Sequence, residues 1–235
     1  MYFLETTIVY ISAIIVVFIF KKKDIFFKGS FLKTFKAGFL YILWCILGLI
    51  FIIIDSTRQN SSFKPTIDIL LNIFKLFSIS FFEESLFRGL ITSSFAKKYV
   101  NEKYGIIKIL LYPSLIFGIT HSINVFTMKI NISASVFQIL SAVIVSIVLT
   151  AIYLRGGNIF VPIIIHTIIN ANGLFNAYFL EKNITEAAII NSNNIITDLY
   201  SLIFAVFLPH CIFTIYLIRE NKINDIKQNI ISMDF

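Results

Sequence analysis

Six residues in this sequence carry chemistry that their surroundings do not invite. The run Glu83-Glu84-Ser85-Leu86-Phe87-Arg88 lies in an apolar stretch, Phe117-x-x-x-His121 lies in the next, and His166-x-x-x-Asn170 in a later one. An ionisable group inside a hydrophobic span costs about 2.5–3.5 kcal/mol on insertion scales, so those that persist pair, line a cavity or do chemistry. On a helix Glu84 and Arg88 stand one turn apart with the acid first, the favoured order for a side-chain ion pair. Glu83 projects about 100° away from Glu84, so one carboxylate can neutralise the arginine while the other faces different surroundings. A carboxylate left over in this way can act as a general base on water. The same spacing also supports a plainer reading, in which both glutamates and Arg88 form one buried ionic lock between helices.

Phe117 shares a helical face with His121, and His166 shares one with Asn170, because residues four apart stack on adjacent turns. A single intramembrane histidine commonly serves as a helix-to-helix hydrogen bond, but two histidines beside a glutamate pair point to a site. His210 follows Pro209 in an apolar run and reads as packing. Asp68, Asn72 and Lys75 occupy one face and read as a local ion pair with an amide partner.

The elements that must hold these groups are hydrophobic helices. The chain has 235 residues, 57% hydrophobic and 14% charged, with a mean hydropathy of +0.86; a soluble domain is roughly 45–50% apolar and about 25% charged. At about 20 apolar residues per crossing, candidate spans fall at 2–20, 37–54, 67–90, 106–126, 132–154, 159–179 and 197–218. The expectation is an all-α polytopic bundle of about seven spans, one membrane domain over 1–235 with a catalytic core at about 67–179. No internal repeat of the kind many transporters carry is visible. Cys45 and Cys211 both lie in apolar runs, which argues against a disulfide framework or a cysteine metal site.

The formal net charge of +7 raises the question of nucleic acid, and the positions of the basic residues answer it. With alternate loops assigned to opposite faces, one face collects fourteen Lys and Arg, in the stretches 21–36, 97–108, 155 and 219–227. The other collects only Arg58, Lys64, Lys129 and Lys182. By the positive-inside rule the first group is cytoplasmic, with the N-terminus outside and the C-terminus inside. The excess is thus an orientation signal with some attraction to anionic lipid, and no nucleic acid partner is expected.

Read together and in order, Glu83-Glu84-x-x-x-Arg88-Gly89, Phe117-x-x-x-His121 and His166-x-x-x-Asn170 resemble the CPBP family of intramembrane proteases, also called the CAAX-protease, bacteriocin-processing or Abi family, which includes Rce1-type prenyl-protein endopeptidases. The resemblance covers about Phe81 to Asn170. It implies that Glu83 activates the attacking water with help from His121, that Glu84 supports the site and pairs with Arg88, and that His166 and Asn170 stabilise the oxyanion. Asn124 is a further hydrogen-bonding candidate. Cofactor use stays open: one carboxylate and two imidazoles are also the ligand set of a catalytic zinc, here Glu83, His121 and His166. The metal-free glutamate mechanism is favoured because Arg88 already engages Glu84.

Two functions follow. The first is an endopeptidase in a bacterial plasma membrane, cutting a peptide or membrane-protein substrate with apolar walls around a hydrophobic segment. The second is a non-catalytic membrane protein, such as a bacteriocin self-immunity factor or a scaffold. At about 1.5 Å per residue, Glu83 and His166 come out about 10 Å from the cytoplasmic ends of their spans and His121 about 18–20 Å. That mismatch would shrink if 101–108 ran along the surface and the helix bent at Pro113. The sidedness is directly testable: an alkaline-phosphatase fusion after residue 28 is expected to be inactive, and an active fusion would reverse the orientation.

Overall fold

The computed structural model describes residues 29–123, 132–181 and 207–232. The first expected span, Asn124 and the start of the last expected span lie outside them. Within the described residues the chain is all-α. Helix α1 spans Phe31–Arg58, α2 spans Thr66–Glu84 and passes through a π-helical segment at Ser85–Thr92 into α3, Ser93–Tyr99. Then come α4 (Gly105–Thr120, with a 3₁₀ turn at His121–Ile123), α5 (Ile132–Gly156), α6 (Phe160–Gly173), α7 (Phe175–Phe179), α8 (Leu208–Ile218) and α9 (Glu220–Ser232).

Three of these stretches are long and apolar enough to cross a membrane, Phe31–Arg58, Gly105–Ile123 and Ser135–Gly156. The expected span at 67–90 is different in kind: α2 and its π extension carry Asp68, Lys75, Glu83, Glu84 and Arg88, so this helix is held by partners inside the protein rather than by lipid alone. The expected span at 159–179 is broken. Pro162 sits in the first turn of α6, where its missing N–H interrupts nothing, and the break falls instead between Gly173 and Phe175. The chain is an integral membrane protein, built as a helical bundle.

Helix α5 is the axis of the bundle. Its run from Val148 to Leu154 is fully or almost fully buried, and it packs against α1, α4, α6, α8 and α9. Small residues let its neighbours approach, as membrane helix contacts require. A Cβ at Gly38 on α1 would stand 3.2 Å from both Ile152 and Ile165. At Gly118 on α4 it would run into the Val143 side chain and stand 2.9 Å from the Ile139 carbonyl oxygen of α5.

The two ends of the bundle are knitted differently. At one end Ser30 N–H donates to the Gly156 carbonyl at 2.8 Å, and Lys33 Nζ donates to Asn229 Oδ1 at 2.8 Å. Asn229 Nδ2 in turn donates to the Leu154 and Arg155 carbonyls, 3.4 and 2.8 Å away, satisfying acceptors that the end of α5 leaves orphaned. This end also carries the α3–α4 turn, since α3 packs on α9. At the other end Lys64 N–H donates to the Phe179 carbonyl and Glu181 N–H to that of Ser62. Described basic residues from Lys33 to Lys36, Lys97 to Lys108, and Arg155, Arg219, Lys222 and Lys227 therefore share one end, while Arg58 and Lys64 belong to the other.

The depth mismatch between Glu83 and His121 has a simple resolution. The helix bearing Glu83 does not end near residue 90 but runs on to Tyr99, and α4 begins at Gly105 and passes straight through Pro113. Glu83 is sixteen residues before Tyr99 and His121 sixteen after Gly105, so both lie about 24 Å along their helices from the same hairpin tip. The α5–α6 turn, from which His166 is counted, is itself buried at Gly156 to Ile159. Gly118→Val is expected to destabilise the bundle by about 1–3 kcal/mol through overpacking, whereas Gly173→Ala, where a Cβ would meet nothing within 4 Å, is expected to be near neutral. Thermal melts of the purified variants in detergent check both.

Candidate active site

The π segment starts directly after Glu84. A π stretch replaces i→i+4 bonding by i→i+5 and is frequent at functional sites; here Ser93 Oγ donates to the carbonyl of Arg88, five residues earlier, at 3.1 Å. The widened turns carry Arg88, the largest fully buried side chain among the described residues. Its Nη1 stands 2.8 Å from Glu84 Oε1, with both side chains fully buried. Its Nη2 donates across to α5, to the Ser146 carbonyl at 3.2 Å and Ser146 Oγ at 3.1 Å. The guanidinium also lies over the Phe117 ring of α4, 5.2 Å from its centroid, a favourable place for a cation.

Glu84 has a second partner. His166 Nδ1 is 2.8 Å from the same Oε1 that faces Arg88, so one carboxylate oxygen accepts from both an arginine on its own helix and a histidine on α6. The other ring nitrogen, Nε2, is 3.4 Å from Glu83 Oε2. The adjacent glutamates thus differ sharply: the Glu84 side chain is fully buried and doubly engaged, while that of Glu83 is 24% exposed. One turn further along α6, Asn170 Nδ2 donates to Ser80 Oγ at 3.1 Å.

His121 approaches from α4 behind an aromatic divider. The Phe117 ring makes edge-on contacts with His121 (4.8 Å between centroids), His166 (5.9 Å) and Phe87 (4.8 Å). His121 Nδ1 is 3.0 Å from the Phe117 carbonyl on its own helix. Glu83, Glu84, Arg88 and His166 are therefore joined by direct polar contacts, Asn170 is tied to Ser80 one turn away, and His121 is linked to the cluster through Phe117. The zinc set of Glu83, His121 and His166 is not assembled: among the described residues no group of three or more His, Cys, Asp or Glu is placed to hold a metal ion.

Two participants escape a reading of the sequence. Ser80 lies one turn before Glu84 on the same face, a spacing that is visible in retrospect. Ser146 lies on a helix with no motif and carries no signal.

Removing the guanidinium leaves Glu84 buried without its cation, and breaking such a pair costs typically about 3–5 kcal/mol. Arg88→Ala is therefore expected to accumulate poorly in the membrane and to melt well below wild type; an unchanged melting temperature would refute the structural role of Arg88.

Residues 64–172 match a family model described as Rce1-like, type II CAAX prenyl endopeptidase Rce1-like. No curated protein and no solved structure matches the chain. The matched stretch begins just before α2 and ends within α6, so it contains every polar side chain of the site from Ser80 to Asn170. Over residues 64–172 the chain is thus similar to the Rce1-like domains of the CAAX-protease (CPBP) family.

Proposed function

We propose that the protein is an intramembrane endopeptidase that hydrolyses a peptide bond of a hydrophobic or membrane-associated substrate with a glutamate-activated water. The observation that carries this reading is the inequality of the two neighbouring glutamates. Glu84 is held by Arg88 and His166 and is structural in its surroundings; Glu83 keeps partial exposure beside a ring nitrogen. A plain ionic lock would bury both carboxylates, whereas Glu83 keeps partial exposure and only the longer 3.4 Å contact to His166.

In this mechanism Glu83 takes a proton from water as the water oxygen forms a bond to the scissile carbonyl carbon. The carbonyl oxygen becomes an oxyanion, met by the free N–H of Asn170 and by His166 when Nε2 carries a proton. When the C–N bond breaks, Glu83 returns the proton to the leaving nitrogen. His121 anchors the water, with Phe117 fixing its ring. Donors preorganised in a cavity closed to bulk water are worth most at the moment charge develops. Apolar walls from Phe87 and Phe117 suit a hydrophobic or lipidated segment. The basic end of the bundle faces the cytoplasm under the same reading, in a bacterial plasma membrane.

The test is cleavage of two fluorogenic peptides, one prenylated at a CAAX end and one hydrophobic but unlipidated, by full-length protein in liposomes. Glu83→Gln keeps the side-chain size while removing the base, so it is expected to melt like wild type and abolish turnover. His121→Ala is expected to fall nearly as far. Asn170→Ala is expected to lose about 10²–10³ in rate, the usual cost of one oxyanion donor. Full cleavage by Glu83→Gln sinks the mechanism, and a wild type that cuts neither peptide, with biological function intact in all three variants, points to the non-catalytic scaffold or immunity factor.

A further inference from the structure

We propose that Ser80 is a positioning residue, which sets the amide plane of Asn170 so that its remaining N–H meets the oxyanion. The inference rests on the endopeptidase reading above and assigns a role to a side chain outside the three motifs.

Helices α2 and the α6–α7 pair run antiparallel and are joined by polar rungs at one-turn intervals. Glu84 meets His166, Ser80 meets Asn170, and Asn72 Nδ2 donates to the Tyr178 carbonyl at 2.6 Å. Between the last two, Leu76 is buried against Phe175, Phe179 and Leu180. Each step of four residues along α2 is answered by four in the opposite sense on the other strand of the ladder, so the rungs share one register. Ser80 is fully buried, and its single hydroxyl proton is donated to the Leu76 carbonyl at 2.9 Å. Its oxygen is then left as an acceptor only, and an acceptor selects the nitrogen rather than the oxygen of the facing amide. Asn170 is half-buried, with one N–H committed to Ser80 and the second held in the same plane. Without Ser80 the amide is free to turn over and present Oδ1, an acceptor, where the oxyanion needs a donor.

This role differs from simple helix glue in what it moves. Ser80→Ala is expected to lower kcat roughly tenfold, less than loss of the whole donor, because the amide still samples the productive orientation, while KM stays within about twofold. In the Asn170→Ala background the same substitution is expected to change kcat no further, since the group it positions is gone. If Ser80→Ala fails to accumulate, Ser80→Cys, whose sulfur is only a weak acceptor, carries the same two expectations. A rise in KM without a fall in kcat, or a full additional loss in the Asn170→Ala background, overturns the role of Ser80 alone. A wild type that cuts neither peptide in the parallel assay overturns the endopeptidase reading, and the positioning role with it.

Discussion

A guanidinium with no solvent contact needs its charge answered inside the protein, and three helices touch Arg88. Glu84 answers its charge, Ser146 on α5 takes its outer N–H groups, and the Phe117 face on α4 covers it. No partner can be moved without stranding charge in a low-dielectric interior, where the penalty is several kcal/mol. The convergence of α2, α4 and α5 is therefore set by one side chain. The same demand separates the two carboxylates: the one that serves Arg88 is fully buried, and its neighbour keeps partial exposure.

From that anchor the polarity of the site propagates to α6. The Glu84 oxygen that meets Arg88 also meets His166, which orients the imidazole so that Nε2 points to Glu83. The Phe117 ring touches the arginine and both histidines, so a residue with no polar atom in its side chain organises three that have them.

What was legible beforehand was local. The Glu84–Arg88 pair, the shared faces of Phe117 with His121 and of His166 with Asn170, and the collection of lysines at one end all follow from spacing within single helices or single loops. What was hidden depends on contacts between helices or on backbone hydrogen bonding that hydropathy does not report. The π segment after Glu84 keeps the four-residue spacing of the ion pair while altering the turns beyond it. The continuation of the helix to Tyr99 was masked because Lys97 and Lys98 resemble a loop in a hydropathy scan; in the fold they decorate a helix, with Tyr99 under Lys98 and Lys108. That one boundary accounts for the apparent difference in depth between Glu83 and His121. The zinc ligand set was a statement of composition alone, and whether its three side chains converge is invisible until the helices are placed.

Asn229 has an implication for how the molecule is made. Its side chain closes the open carbonyls of α5 and receives Lys33 from the start of α1, so the central helix is finished off by a residue made long after it. Synthesis proceeds from the N-terminus at about 5–20 residues per second, and α5 must wait for more than seventy residues after Gly156 before its last turn is capped. The clasp at this end of the bundle is thus added only after the helices that carry Glu84, Arg88 and His166 have been made, and it acts on a frame whose polar contacts need nothing from it.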